Sequence, residues 1–228
     1  MNDSTIEQES ALSRVELAYR KLKNNILSNE YPPGYQALEP ELAKTLGVSR
    51  TPVREALIRL EAEKLIELIP RRGMRVLPLV PADILEISQI LTALEVMAVE
   101  LLGKKKPGVD MLRPMADAVD EMDRAIENDD LDAWSDAEEK FHRLLLTLSG
   151  NKRLAMLAAT VRAQAFRARK ITLKLRPKSS LIAISPREVF EALRVGDWQK
   201  AKDMHYSHRM KVSETLIEVL DQYQLPHL

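Results

Sequence analysis

Apolar residues recur at helical spacing in three short runs over the first eighty positions. Val15, Leu17, Leu22, Ile26 and Leu27 form one stripe from Ser13 onward, ending before Tyr31-Pro32-Pro33-Gly34. Two prolines without amide hydrogens and a glycine free to take positive φ make that segment a loop. A second helix is predicted over about Pro40–Leu46, with Leu42 and Leu46 on one face and Gly47 placed to end it. Ser49 then suits the N-cap of a third helix, Arg50–Lys64, whose inward face is Val53, Ala56, Leu57 and Leu60. Leu65–Leu68 and Met74–Leu77 flank Pro70-Arg71-Arg72-Gly73, the pattern of a small β-hairpin. Three helices and a two-stranded wing make a winged helix-turn-helix, predicted over residues 13–78. Residues 1–12 lack this periodicity and read as a disordered tail.

The pattern changes after a linker at residues 79–81. Six long apolar-periodic segments fill residues 82–228: about Ala82–Gly103, Val109–Asn128, Leu131–Leu148, Lys152–Leu173, Pro186–Val195 and Trp198–Gln222, with Ser179–Ile184 a candidate extension of the fifth. Short breaks such as Asp129–Asp130 and Gly196–Asp197 favour an antiparallel bundle. The predicted fold class is therefore mainly α: a winged helix-turn-helix followed by an all-α helical bundle.

Composition narrows the chemistry. The 228 residues include no cysteine, which removes disulfides, thiolate metal sites and cysteine nucleophiles. No apolar run approaches the ~20 residues of a membrane helix, and the polar, acidic start is unlike a signal peptide, so a soluble cytoplasmic protein is expected. Net charge is zero, but it is unevenly placed: between Arg50 and Arg75 seven basic residues face four acidic ones. That local excess is where a polyanion would bind.

The start of the third helix carries the matching chemistry. Ser49, Arg50, Thr51 and Arg54 place two hydroxyls and two guanidiniums within one turn, opposite the Leu57/Leu60 face. Hydroxyls and helix-terminus amides suit phosphate oxygens, and Arg bonds guanine O6 and N7 bidentately. Arg71, Arg72 and Gly73 at the hairpin tip would reach phosphate or a narrow minor groove. The alternative is a surface salt-bridge face made of Arg54, Arg59, Glu61 and Glu63.

In the second part, Glu138 and Glu139 precede His142 by four and three residues, and His205 and His208 are three apart, each set on one helical face. A carboxylate and imidazoles converging from different helices would suit Zn, Mn or Ni; ordinary surface pairs are the alternative. Arg162, Arg167 and Arg169 on the fourth helix of the bundle are candidates for a carboxylate clamp. Trp134 and Trp198 read as packing residues.

The run Leu46-Gly47-Val48-Ser49-Arg50-Thr51-Pro52-Val53-Arg54-Glu55-Ala56-Leu57, preceded by Tyr31-Pro32-Pro33-Gly34, resembles the DNA-binding domain of GntR-family bacterial transcription regulators. The resemblance implies that Arg50 and Arg54 contact DNA, with Ser49 and Thr51 on the backbone and Arg72-Gly73 in the wing. Relatives often carry an Arg near the start of the second helix, where this chain has Glu39-Pro40-Glu41. Phe141-His142, Ser149-Gly150-Asn151, Gly196-Asp197, Ala201, Met204 and His208 resemble the FCD effector domain of the FadR subgroup, in its shorter VanR-like form. In many such relatives one carboxylate and three His residues hold a metal. Here Glu138 stands where Asp is usual and His142 and His208 match, whereas the remaining His falls on Pro186, which offers no donor. Relatives also often carry an Arg four residues before the Glu of a Leu-Glu pair; here Leu91 precedes Leu94-Glu95. Two arrangements stay open: a three-ligand site completed by water, effector or His205, and a metal-free pocket that holds the effector through polar groups.

Two function classes compete. One is a homodimeric, operator-binding regulator, in particular a repressor, modulated by a small carboxylate in the bundle. The other is a ferritin-like di-iron enzyme. Glu139 and His142 supply one Glu-x-x-His, but such sites need a second, and Lys202 and His205 occupy the positions three before His205 and His208. The expectation is therefore a regulator and not an enzyme.

Overall fold

The computed structural model describes residues 3–175 and 186–223, with side chains described from Arg14 onward. The chain divides into two compact units with the boundary between Leu79 and Val80.

The first unit contains α1 (Asp3–Leu27), β1 (Gln36–Ala37), α2 (Glu39–Leu46), α3 (Arg50–Ala62), β2 (Ile66–Ile69) and β3 (Gly73–Val76). Its core joins Ala18, Leu22 and Ile26 of α1 to Leu42 and Leu46 of α2 and to Val53, Ala56, Leu57 and Leu60 of α3. The predicted stripe on α1 needs one correction. Leu17 is 44% exposed, and Ala18 takes the inward position because 18, 22 and 26 repeat at four residues. A second correction concerns the N-terminus: α1 begins at Asp3, so the segment read as a disordered tail is helical from there. Helical backbone bonds need no apolar stripe.

The turn from α2 to α3 is Gly47-Val48-Ser49. Gly47 ends α2 at φ 69°, a left-handed conformation that glycine takes without strain. Ser49 occupies the N-cap position in extended conformation, but its hydroxyl makes no capping bond.

The wing is a three-stranded antiparallel sheet in the order β1-β3-β2, one strand more than the predicted hairpin. Ile69 pairs with Gly73 at the hairpin end, and Ala37 of β1 pairs with Met74. Gly73 has φ 79°, and a Cβ there would lie 2.1 Å from the Ala37 carbonyl oxygen. The edge strand therefore requires glycine at this position.

The second unit holds α4 (Pro81–Lys104), α5 (Val109–Glu127), α6 (Leu131–Leu148), α7 (Lys152–Thr172), a 3₁₀ turn (Leu173–Leu175), α8 (Pro186–Arg194) and α9 (Trp198–Gln222). Helix boundaries fall within a residue or two of those read from periodicity; the candidate segment Ser179–Ile184 lies outside the described residues. α5 packs on α6, and α9 packs on α4 and α8. Met115, Val119, Trp134, Phe141, Leu145, Val189 and Leu193 belong to the buried apolar cluster between them. Trp198 packs against this cluster, so both tryptophans serve packing. α7 lies against α4, α6 and α9, and where these four helices meet the interior turns polar.

Candidate functional site

Ser49, Arg50, Thr51 and Arg54 are all solvent-exposed at the start of α3, while Val53, Ala56, Leu57 and Leu60 face the core. The salt-bridge alternative resolves residue by residue. Arg59 pairs with Glu16 at 2.9 Å, and Glu63, the residue just after α3, pairs with Lys23 at 2.7 Å, so the end of α3 is tied to α1 twice. Glu61 accepts the Leu68 backbone N–H at 2.7 Å. Arg50 and Arg54 make no ion pair among the described residues. Intramolecular contacts thus hold α3 by its far end and leave its first turn open.

The wing presents Arg71 and Arg72 exposed in the tight turn, Arg71 at φ 63° and Arg72 donating its N–H to the Ile69 carbonyl at 2.9 Å. Arg75 pairs instead with Glu67 across the hairpin. A cleft of about 410 Å³ between wing and helices is lined by Leu38, Glu39, Pro40, Arg54, Leu68, Ile69, Pro70, Arg71 and Gly73.

In the second unit, Glu95 from α4, Glu138 and His142 from α6, Arg167 and Arg169 from α7, and His205, His208 and Arg209 from α9 are all buried. His142 is the hub. Its Nδ1 lies 3.0 Å from Glu95 Oε2, which also sits 3.1 Å from His205 Nε2 and 3.5 Å from Arg209 Nε. Its Nε2 faces the other way, 3.9 Å from Glu138 Oε1, and His208 Nε2 is 3.9 Å from the same oxygen. Arg169 backs Glu138 at 3.6 Å and donates to Glu139 at 2.7 Å; Glu139 also pairs with Arg162.

The charges follow from this packing. Burial alone would raise the pKa of Glu95, but Arg209, His142 and His205 outweigh it and hold the group well below the usual range. Glu138 is likewise lowered against its burial, by His142, Arg169 and His208. Burial also opposes a charge on His142, yet Glu95 and Glu138 on its two sides raise its pKa. His208 is pushed down to about 3, chiefly by burial, with Glu138 opposing and His142, His205 and Arg209 adding. His205 is lowered by burial, against the pull of Glu95. Burial brings Arg167 down to about 10.

Two triads share His142: Glu95/His142/His205 and Glu138/His142/His208. They differ in spacing. The 3.1 Å contact between His205 Nε2 and Glu95 is a hydrogen bond that orients the His205 ring, while His142 Nδ1 is held beside the same carboxylate as a close ionic contact at 3.0 Å. The 3.9 Å separations of the second triad leave room for something between the donors. Both Glu138 oxygens, both His142 ring nitrogens and His208 Nε2 are buried without an aligned hydrogen bond among the described residues. Unpartnered groups of this kind cost ~1–3 kcal/mol each, and a divalent ion would satisfy several at once.

The family model described as bacterial regulatory proteins, gntR family, matches residues 14–76, and that of the FCD domain matches residues 86–210. The chain belongs to the GntR family. It is similar to an HTH-type transcriptional regulator of Agrobacterium vitis from the TAR-I ttuE-ttuC' intergenic region, 41% identical over 139 residues, which is 60% of this chain and 81% of that protein. It is also similar to the HTH-type transcriptional regulator YdhC of Bacillus subtilis, 30% identical over 90% of this chain and 91% of the relative. A GntR transcriptional regulator from Rhodococcus sp. RHA1 shares the fold at TM-score 0.74 and 22% identity, over 90% of this chain and 98% of that one.

In this GntR regulator with an FCD domain, Glu138, His142 and His208 lie close together in the fold. His205 is present too, but on the Glu95 side of His142. Arg169 is buried against Glu138, and Arg162 is held by Glu139. Pro186 opens α8, a position that proline suits and where it offers no donor atom. Glu95 and Arg209 were not assigned from sequence as part of the cluster. Both stand on helical faces that are otherwise inward: Glu95 lies four residues after Leu91 and three before Ala98, and Arg209 four after His205. A charge in register with a buried face was the available signal.

Proposed function

We propose that this GntR regulator is a repressor that binds a pseudo-palindromic operator as a homodimer and is modulated by a small organic acid bound in its FCD unit. The first part rests on one observation: the opening turn of α3 carries exposed Arg50 and Arg54 with no protein partner. In the major groove those guanidiniums read base edges, Ser49 and Thr51 meet phosphates, and Arg71, Arg72 and Gly73 of the wing lie along the backbone. One such helix reads few base pairs, so two copies supply the required discrimination. Such a protein works in the bacterial cytoplasm, where its DNA is. The direction of regulation follows the Escherichia coli relative RspR, a repressor by name, 25% identical over 88% of this chain.

The effector part rests on the unsatisfied donors around His142. Glu138, His142 and His208 would hold a divalent ion of the Zn, Mn or Ni class, which would supply a positive charge able to bind a carboxylate. The protein's own residues prepare that site. Glu95 sits on the Nδ1 side of His142 at 3.0 Å, so Nε2 is the nitrogen that would be left for the ion, while Arg169 and Arg209 offset the two buried carboxylates. Effector binding shifts the DNA-binding state only by its difference in affinity between states. A metal-free form is favoured by a different observation, the buried Arg169 against Glu138, whose guanidinium could bind an acid bidentately with help from Arg162 and His205; Arg167, buried on the same helix, is the further guanidinium available to that form.

Gel-shift on DNA upstream of the chain's own gene tests the first part: a sequence-selective, salt-sensitive complex is expected, and its absence would refute it. Elemental analysis of protein purified without chelator tests the second. A near-stoichiometric ion that disappears in His142→Ala supports the metal form. Ion-free protein stabilised by small organic acids supports the metal-free form.

A further inference from the structure

The cleft beside the wing contains a charge that a surface built only to hold phosphates does not need. Glu39 at the start of α2 lines it together with Arg54 of the recognition helix and Arg71 of the wing. The neighbouring carboxylate is already committed, since Glu41 accepts the Leu38 backbone N–H at 2.9 Å and closes the first turn of α2. Glu39 is half-buried and makes no hydrogen bond or ion pair among the described residues, not even with the two guanidiniums that share its cleft.

Against DNA a bare carboxylate is repelled by phosphates. It is tolerated where a base edge offers it an amino group. In the major groove cytosine N4 is such a donor, and its guanine partner presents the O6 and N7 acceptors that arginine prefers. A guanidinium and a carboxylate lining one cleft are therefore complementary to the two halves of a G·C edge. Guanine O6 or thymine O4 in the same place would meet the carboxylate acceptor to acceptor, so the group also rejects wrong bases.

We propose that Glu39 is a specificity-determining residue that accepts a hydrogen bond from a cytosine amino group, while Arg54 reads guanine of the same or the adjacent base pair. The inference rests on the operator-binding reading above and adds to it a base preference and the residue that sets it.

The test is selection of bound duplexes from a random library by the full-length chain and by its Glu39→Ala and Glu39→Gln variants, followed by titration of single-base operator variants. The wild-type motif should contain a required cytosine in each half-site. Glu39→Ala should lower discrimination there by at least about fivefold and leave other positions unchanged. Glu39→Gln should move the preference toward adenine, whose N6 and N7 an amide can bond together. Loss of a negative charge will also tighten binding to every sequence alike. If that uniform tightening is the only effect and both variants select the wild-type motif, the proposal is overturned while the operator reading stands. A wild-type protein that enriches no sequence would remove both.

Discussion

Arg72 and Arg54 are both exposed arginines of the first unit, yet position gives them different work. Arg72 lies at the tip of the wing turn, where the nearest DNA atoms would be phosphate or sugar. Arg72→Ala should weaken binding to operator and non-operator DNA by similar factors and reduce the salt slope by about 1, measured by anisotropy at several salt concentrations. At the buried cluster the decisive residues are the imidazoles. His205 and His208 are lowered below their ordinary pKa and His142 is raised. As pH falls through 6.5 toward 5, the unfolded chain takes up protons on His205 and His208 ahead of the folded chain, while His142 offsets this only above about pH 6.5, where its unfolded imidazole is still largely neutral. Stability of the metal-free protein should therefore fall by about 1.4 kcal/mol per pH unit for each net proton, and His208→Gln should flatten the slope. Denaturation midpoints at pH 5, 6 and 7 check this; an unchanged slope in the variant would contradict the assignment. The sequence showed His142, His205 and His208 plainly because histidine is rare here. Glu95 and Arg209 were harder to see, because charge on an apolar helix is ordinarily assigned to its wet face.

Helices were the most legible elements. Their apolar repeats extend over several turns and their ends are marked by proline, glycine or aspartate, so α4 to α9 fall close to their predicted bounds. The missing element is β1. Two residues cannot display alternation, and Gln36–Ala37 becomes a strand only because β3 lies beside it. The one local sign was Gly73, whose lack of a side chain admits the Ala37 carbonyl. Gly73→Ala should cost roughly 1–3 kcal/mol, from positive φ and from the close approach together, and should loosen the wing before the helices. Hydrogen exchange would show early loss of protection at Met74 and Val76, and full protection there would argue against the pairing described.

For the whole molecule, a mainly helical chain in two units joins a first unit with a local basic excess between Arg50 and Arg75 to a bundle whose apolar core gives way to one buried polar cluster. None of the described helices is long and apolar enough to cross a membrane. The operator reading requires two recognition helices, so gel filtration at micromolar concentration should report a dimer, and a strict monomer would count against it. Sequence alone could not decide between one metal-binding geometry and another, because the two overlapping triads depend on how three helices, α4, α6 and α9, cross.

The most direct measurement compares the wild-type chain with the Arg50→Ala/Arg54→Ala double variant, titrated against a selected operator and a scrambled duplex at fixed salt. The wild type should prefer the operator by about 10³-fold or more, and the double variant should lose most of that ratio with an unchanged circular dichroism spectrum. A double variant that keeps the wild-type ratio would contradict the assignment of α3 as the element that reads DNA.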